Sequence, residues 1–389
     1  MPRLKKPNCE ARVPKQIPMG NRLQASDEET GVGLLSNIDL RVSGFVSGIF
    51  LMFLVVSAFG QRTATVDAEA RFLAGLPVSG ALEPLTESQA WQEHAAAMNE
   101  AWMKKDYFQI GPITAWMTAN AYDHYQSSDT MFYMFGGPDF LYANVFFPNA
   151  KTYILAGLEP VGQVPDLLRQ NPETLGRELP ALRASMKTIL NTHYFITKDM
   201  RTDLERGGIT GTLPILYVFL ARRGCNVVET TFLKDPAEGV KITFDGKVAR
   251  QTLYYFKTDL SGGKSKFLSW CAKQGPGVSL LKAASYLMHG EGFSGVRNFL
   301  LEHSRVIIQD DSGIPLKAFP KGWSVNCYGR YVPHKEMFDK FHQADLAAIN
   351  DKNPSPPELG FAFGYHWQID RGILMMATKK SEKTTDGHE

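Results

Sequence analysis

Residues 131–160 read MFYMFGGPDFLYANVFFPNAKTYILAGLEP, and the order of elements in this stretch decides the fold class. Met131–Phe135 is a short apolar run rich in aromatic residues, which predicts a buried strand. Gly136-Gly137-Pro138-Asp139 supplies the residues of a tight turn. Phe140–Phe147 predicts a short apolar helix, stopped by Pro148-Asn149. Thr152–Ala156 is a second apolar strand, closed by Gly157-Leu158-Glu159-Pro160. A strand, a glycine turn, a helix and a strand make a βαβ unit, whose crossover implies parallel pairing.

Working outward, Gln61 to about Tyr125 is mostly helical text. Within it, Trp91, Ala95, Met98 and Trp102 recur at helical spacing and form one apolar face. His94 lies beside this face and reads as core, and Trp116 extends the aromatic packing. Helical text resumes from Val164 to about Glu205, punctuated by Pro172 and Pro180, and again at Leu213–Arg223, where Gly224 is a natural stop. Strands are expected at Asn226–Leu233, Val240–Phe244 and Thr252–Lys257, with Asp245-Gly246 as a hairpin-type turn. Helices are expected at Ser265–Lys273, Ser279–Met288, Val296–His303 and Lys335–Ile349. Further strands fall at Arg305–Gln309, Ser324–Tyr328 and Ile373–Thr378. With no repeat and no long linker, residues 61–378 read as a single large α/β domain with a mixed, partly parallel sheet and a Rossmann-like βαβ unit near 131–160. Residues 379–389 form a polar tail.

Ahead of the domain, Gly44–Gly60 (GFVSGIFLMFLVVSAFG) is free of charge over 17 residues. As a helix it would span about 25 Å, slightly short of the ~30 Å hydrocarbon layer. It reads as a transmembrane anchor or as the apolar core of a signal peptide, with Ala58 and Gly60 placing cleavage before Gln61. Residues 1–43 form a polar, basic segment, expected to be disordered, with Arg3, Lys5, Lys6, Arg12, Lys15 and Arg22 opposed by Glu10 alone in the first 22 residues. Basic charge on that side favours keeping it in the cytoplasm and sending residues 61–378 across. The length of that segment is unusual for a signal peptide, and a start at Met19 would shorten it. The expected location is therefore an extracytoplasmic body, either membrane-anchored through 44–60 or secreted.

The chain is 44% hydrophobic and 21% charged, which excludes a disordered or fibrous protein. Its net charge of +2 gives no basic excess of the kind that nucleic-acid binding requires, so no nucleic-acid partner is expected. Apart from Cys9, the cysteines are Cys225, Cys271 and Cys327. Three can form at most one intramolecular disulfide, and their spacing matches no zinc pattern.

Three stretches imitate nucleotide motifs. Gly290-Glu-Gly292-Phe-Ser-Gly295 is a literal GxGxxG with Asp310 twenty residues beyond Gly290. The preceding residues, however, carry helical spacing where the dinucleotide fingerprint needs a strand. Ser261-Gly-Gly-Lys-Ser265 resembles the end of a P-loop but has Thr258 where that motif begins with glycine. Gly136 and Gly137, with Glu159 after the next strand, have the element order of a Rossmann-type cofactor site, including those that bind S-adenosylmethionine. Pro138 removes one N–H that could have held an anion.

There is no GxSxG elbow and no HExxH helix. The remaining chemistry is acidic. Asp139, Glu159, Asp310 and Asp311 each follow an expected buried strand, and parallel strands deliver their carboxyl ends to one edge. Converging there, these candidate catalytic residues could act as general acid and base or hold a divalent cation such as Mg²⁺ or Ca²⁺. Adjacent Asp310 and Asp311 cannot both face inward from extended chain. His193 and His289 are candidate bases, and the aromatic run Gly360–Trp367 is either a groove wall or a strand with one aromatic face. Three functions follow. The first is an envelope protein that binds a ligand or partner. The second is a hydrolase using the carboxylates. The third is a Rossmann-type, S-adenosylmethionine-like transferase, which requires a cytoplasmic body.

Overall fold

Successive residues of a strand point to opposite sides of the sheet, so a strand apolar at every position needs cover on both faces. The sheet of this protein has that cover. The computed structural model describes residues 64–127, 129–192, 208–333, 338, 343–352, 357–366 and 369–380, all within the compact unit Gly60–Glu389. The segment 44–60, Cys9, His193 and the tail from 381 lie outside the described residues. No helix among the described residues is long and apolar enough to cross a membrane.

The described residues open with helices α1 (Val66–Leu73), α2 (Gln89–Lys105), α3 (Gly111–Asn120) and α4 (Tyr122–Tyr125). Strand β1 (Thr130–Tyr133), helix α5 (Phe140–Phe146) and strand β2 (Thr152–Gly157) follow. Next come α6 (Pro172–Thr192), α7 (Leu213–Arg222), β3 (Asn226–Leu233), β4 (Gly239–Asp245) and β5 (Arg250–Lys257). Then α8 (Lys266–Ala272), β6 (Gly277–Leu281), α9 (Ser294–His303) and β7 (Ser304–Gln309) complete the parallel core. The chain ends with β8 (Trp323–Gly329), α10 (Ala344–Lys352) and β9 (Ile373–Lys379). Nine strands form one mixed sheet in the order β3-β4-β5-β2-β1-β6-β7-β9-β8. The pairs β5/β2, β2/β1, β1/β6 and β6/β7 are parallel, and the four outer pairings are antiparallel.

The expected βαβ unit is present with parallel pairing in register from Thr130↔Thr152 to Tyr133↔Leu155. With the β3-β4 hairpin set aside, the parallel strands run third-second-first-fourth-fifth, the doubly wound order. Met131, Tyr133, Tyr153 and Leu155 enter a core shared with α1, α5, α6 and α7. Phe132, Met134, Ile154 and Ala156 enter a second core with α8 and α9. The chain therefore changes face of the sheet where it passes from β5 to β6. The strand neighbours β1 and β6 straddle that topological switch.

Gly224 ends α7 at φ +75°, as its place in the sequence predicts. Three expectations need correction. Ser279–Met288 is no helix: Gly277–Leu281 is a strand buried at all five positions, followed by an irregular turn. An isolated apolar run of this length fits either state, and here the slot between β1 and β7 selects the strand. Before Pro172 the expected helix is replaced by an isolated bridge, Gln163↔Thr210, and a single turn at Leu167–Arg169. In the expected helix Lys335–Ile349, Gln343 is non-helical and α10 begins only at Ala344; residues 334–337 and 339–342 lie outside the described set.

Candidate ligand-binding cavity

A cavity of about 340 Å³ opens at the carboxyl edge of the parallel strands, the place where doubly wound sheets bind ligands. Its volume falls in the range of small-molecule sites. The ends of β1 and β2 and the segments after them (Tyr133–Gly137 with Asp139, and Gly157–Glu159) line it together with the segments after β5 (Thr258–Leu260) and β6 (Lys282–Ser285), and Leu287, Phe293, Phe338 and Tyr365 complete the lining.

The floor is a buried ion pair. Lys282 follows β6 directly, and its Nζ lies 3.0 Å from Asp139 Oδ2, with the two side chains 1% and 3% exposed. The same ammonium sits 3.5 Å from the centroid of the Tyr142 ring, a cation–π contact in a desolvated place. Tyr133 donates its hydroxyl to Asp139 Oδ2 at 3.0 Å, and Asp139 Oδ1 accepts the Tyr142 N–H at 3.1 Å, capping α5. Burial drives the Lys282 pKa down, against the upward pull of Asp139 and Asp310. Burial and the neighbouring Asp139 carboxylate hold the Tyr133 and Tyr142 phenols well above their ordinary range. Behind them Lys105, also buried, is lowered to about 7 by burial first and by the Lys282 charge second.

The turn after β1 is packed against the end of β2. Gly137 adopts φ +55°, and a Cβ there would lie 3.3 Å from Glu159 Oε2. Glycine relieves the conformational cost of that backbone. Tyr255, on β5, donates its hydroxyl to the Glu159 carbonyl at 2.8 Å, with Glu159 Oε2 at 3.3 Å. The amides of the turn are spent inside the protein. Those of Gly136, Gly137, Asp139 and Phe140 bond to the carbonyls of Tyr133, Ala156, Gly136 and Pro138 respectively.

Opposite them, the turn after β6 carries three non-glycine residues at positive φ: Ala283 (53°), Ser285 (54°) and Tyr286 (55°). Such conformations cost on the order of 1–3 kcal/mol each and persist only where surroundings enforce them. Here Ala283 N–H donates to Asp310 Oδ2, Ala284 N–H to Ser312 Oγ and Ser285 N–H to Tyr365 Oη.

Of the acidic candidates, Asp139 and Glu159 line the cavity, whereas Asp310 and Asp311 do not. Asp310 is 1% exposed, and its Oδ1 accepts both the Ser312 N–H and the Ser312 hydroxyl. Its pKa is raised to about 7, by burial first and the adjacent Asp311 second, with the Ser312 and Ala283 hydrogen bonds opposing. Asp311 accepts the Tyr286 hydroxyl. This pair organises the turn after β6 from behind. Among the described residues, no three His, Cys, Asp or Glu side chains are grouped to hold a metal ion.

Gly136 and Gly137 lie on the cavity, while Gly290, Gly292 and Gly295 do not. The P-loop-like Ser261–Ser265 also stays off it, although Thr258, Asp259 and Leu260 just before it contribute. His289 lies in a single helical turn off the cavity lining. The aromatic run divides: Phe361 and Phe363 pack on Phe146 in the core, while Tyr365 reaches the cavity. Lys282, Ser285 and the Tyr365 hydroxyl are the additions that the sequence reading missed. A lysine directly after a buried strand, inside Leu280-Leu-Lys-Ala-Ala284, was the available signal. No protein-family model matches the chain, and no curated protein or solved structure matches it.

Proposed function

We propose that the cavity binds S-adenosylmethionine and that the protein is a Rossmann-type transferase. The observation that carries this reading is the joint placement of the Gly136-Gly137 turn and Glu159 on one cavity beside the β1/β6 switch. In such sheets an acidic residue past the second strand holds ribose hydroxyls.

The same turn argues against a dinucleotide. A pyrophosphate needs unspent amides at a helix N-terminus. Here Pro138 has no N–H, the neighbouring amides are bonded internally, and Asp139 closes α5 with its own carboxylate. Among the described residues, the charged side chains lining the cavity are Asp139, Glu159 and Asp259 against Lys282. That balance repels phosphate and favours a nucleoside carrying positive charge, which a sulfonium supplies. This reading places the body in the cytoplasm, and so competes with the extracytoplasmic body that the segment 44–60 suggests.

Calorimetric titration of the full-length chain with S-adenosylmethionine, its thioether product S-adenosylhomocysteine, ATP and NAD tests the reading. Saturable binding of the first two, lost in Glu159→Gln, is expected. Binding of ATP or NAD alone, or of none of the four, overturns it. Protease access from outside intact cells decides the side: a digested body refutes a transferase fed from the cytoplasm.

A further inference from the structure

The β6 side of the cavity has a chemistry of its own. Successive N–H groups in a turn that mixes right- and left-handed residues can form an anion nest. In this turn those groups are spent: besides the three bonds described above, Tyr286 N–H donates to the Ser312 carbonyl at 3.1 Å. An anion at the turn would find no backbone donor from Ala283 to Tyr286.

The hydroxyl hydrogens decide what the turn does present. Tyr365 has one hydroxyl hydrogen, and it goes to the Ala283 carbonyl at 2.9 Å. Its oxygen accepts the Ser285 N–H at 3.0 Å. In the remaining contact, Ser285 Oγ to Tyr365 Oη at 2.8 Å, serine must therefore be the donor. Ser285 is exposed at the cavity mouth, and its oxygen is left with lone pairs and no hydrogen to give. Nearby stand aromatic faces: Phe338 lies 4.8 Å from Tyr365, and Phe135 lies 6.0 Å from Phe293. Among the described residues, the lysine of the lining, Lys282, is tied to Asp139 at the floor. An acceptor oxygen, aromatic walls and, among the described lining residues, more carboxylates than cations together select a donor-bearing, positively charged group.

We infer that the methyl acceptor is a small organic amine, seated at the mouth with its nitrogen on Ser285 Oγ and its apolar body along Phe338 and Tyr365. This rests on the reading of the cavity as an S-adenosylmethionine site. The ammonium loses one proton to solvent at the open mouth. The nitrogen lone pair then forms the new C–N bond to the methyl carbon as the C–S bond breaks. The electron pair of that bond stays on sulfur, which leaves as a neutral thioether, and the methylated nitrogen carries the positive charge.

The test uses the full-length protein and two probes of similar shape, phenethylamine and 3-phenylpropionate, titrated with and without S-adenosylhomocysteine. The amine is expected to bind, with the carboxylate at least about tenfold weaker, and Ser285→Ala to weaken the amine by about tenfold, the worth of one hydrogen bond to a charged group. Tyr365→Phe removes the acceptor of the serine proton and frees Ser285 to donate, so discrimination between the probes should narrow. A purely structural Ser285 would not produce that narrowing. Equal or tighter binding of the carboxylate, or an amine affinity unchanged in Ser285→Ala, overturns the inference. If S-adenosylhomocysteine binds and the amine does not, the acceptor assignment falls while the cofactor reading stands. If the amine binds and S-adenosylhomocysteine does not, both fall.

Discussion

Asp139→Asn should destabilise the domain by about 3–5 kcal/mol, the usual cost of breaking a buried ion pair from one side. The substitution is chosen to remove charge and little else. Asn is as good an N-cap as Asp, so the bond from Tyr142 N–H to Oδ1 can persist, while the amide NH2 that replaces Oδ2 donates to the Tyr133 oxygen where the carboxylate accepted from it. What is lost is the negative charge facing an ammonium 3.0 Å away that is 1% exposed. At an effective dielectric of about 20, that attraction is worth roughly 5–6 kcal/mol. Against a typical domain stability of about 5–15 kcal/mol the loss is severe. Urea unfolding at pH 7, followed by tryptophan fluorescence and circular dichroism, gives the number. The pH dependence supplies an internal check. Without its carboxylate, Lys282 should lose its proton in the folded state well below the unfolded-state pKa of about 10.4. Between those two values the unfolded chain holds the extra proton, so the stability of the variant rises with pH and the defect shrinks under alkali. Adding Lys282→Met should recover most of the loss, because a neutral pair leaves no stranded charge. A loss below about 1 kcal/mol, or strictly additive single substitutions, would refute the claim that this pair holds the cavity floor.

Other expectations concern the same region and its surroundings. Gly157→Ala would push a methyl group into Glu159 Oε2 and to within 3.0 Å of the Tyr255 oxygen; calorimetry should show S-adenosylmethionine binding at least about tenfold weaker, with circular dichroism unchanged. Lys105 is held to about 7 in the fold against an ordinary 10.5. The penalty for its buried charge is fully present below pH 7 and is relieved as pH rises toward 10.5, so stability climbs through that window. Lys105→Met should flatten that slope in a pH series of melting curves. Burial raises the thiols of Cys225 and Cys327 to about 11 and that of Cys271 higher still. In the folded protein Cys225 and Cys271 should resist a disulfide reagent and react only on unfolding, and a fast reaction of either in native buffer would contradict their burial.

The parallel heart of this fold was legible because its signals are local. In 131–160, apolar runs of strand length flank a glycine-proline turn, and those punctuating turn residues, with the aromatic and β-branched content of the runs, arbitrate between strand and helix. Gly224 after Leu213–Arg222 was legible for the same reason: a helix stop and a positive φ are properties of one residue. The run at 277–288 was not, because Leu280, Leu281, Ala284 and Leu287 carry helical spacing. Only the slot between β1 and β7, and the hydrogen bonds from Asp310, Ser312 and Tyr365, settle its conformation. The acidic candidates divide on the same principle. That each follows a strand is written in the chain; which of them turn toward the cavity depends on neighbours far away in sequence. Asp139 is bound by Lys282, and Asp310 by the turn it supports.

By itself, then, the sequence determined the element order, the βαβ unit and the edge at which strand-end residues collect, since alternation, turn chemistry and crossover geometry act over a few residues at a time. The tertiary structure alone decided that Lys282 pairs with Asp139, that the amides of both cavity turns are spent, and that Ser285 offers an acceptor to the mouth. Those are facts about which donors and charges remain unsatisfied after folding, and that remainder exists only once distant segments have packed together and excluded water.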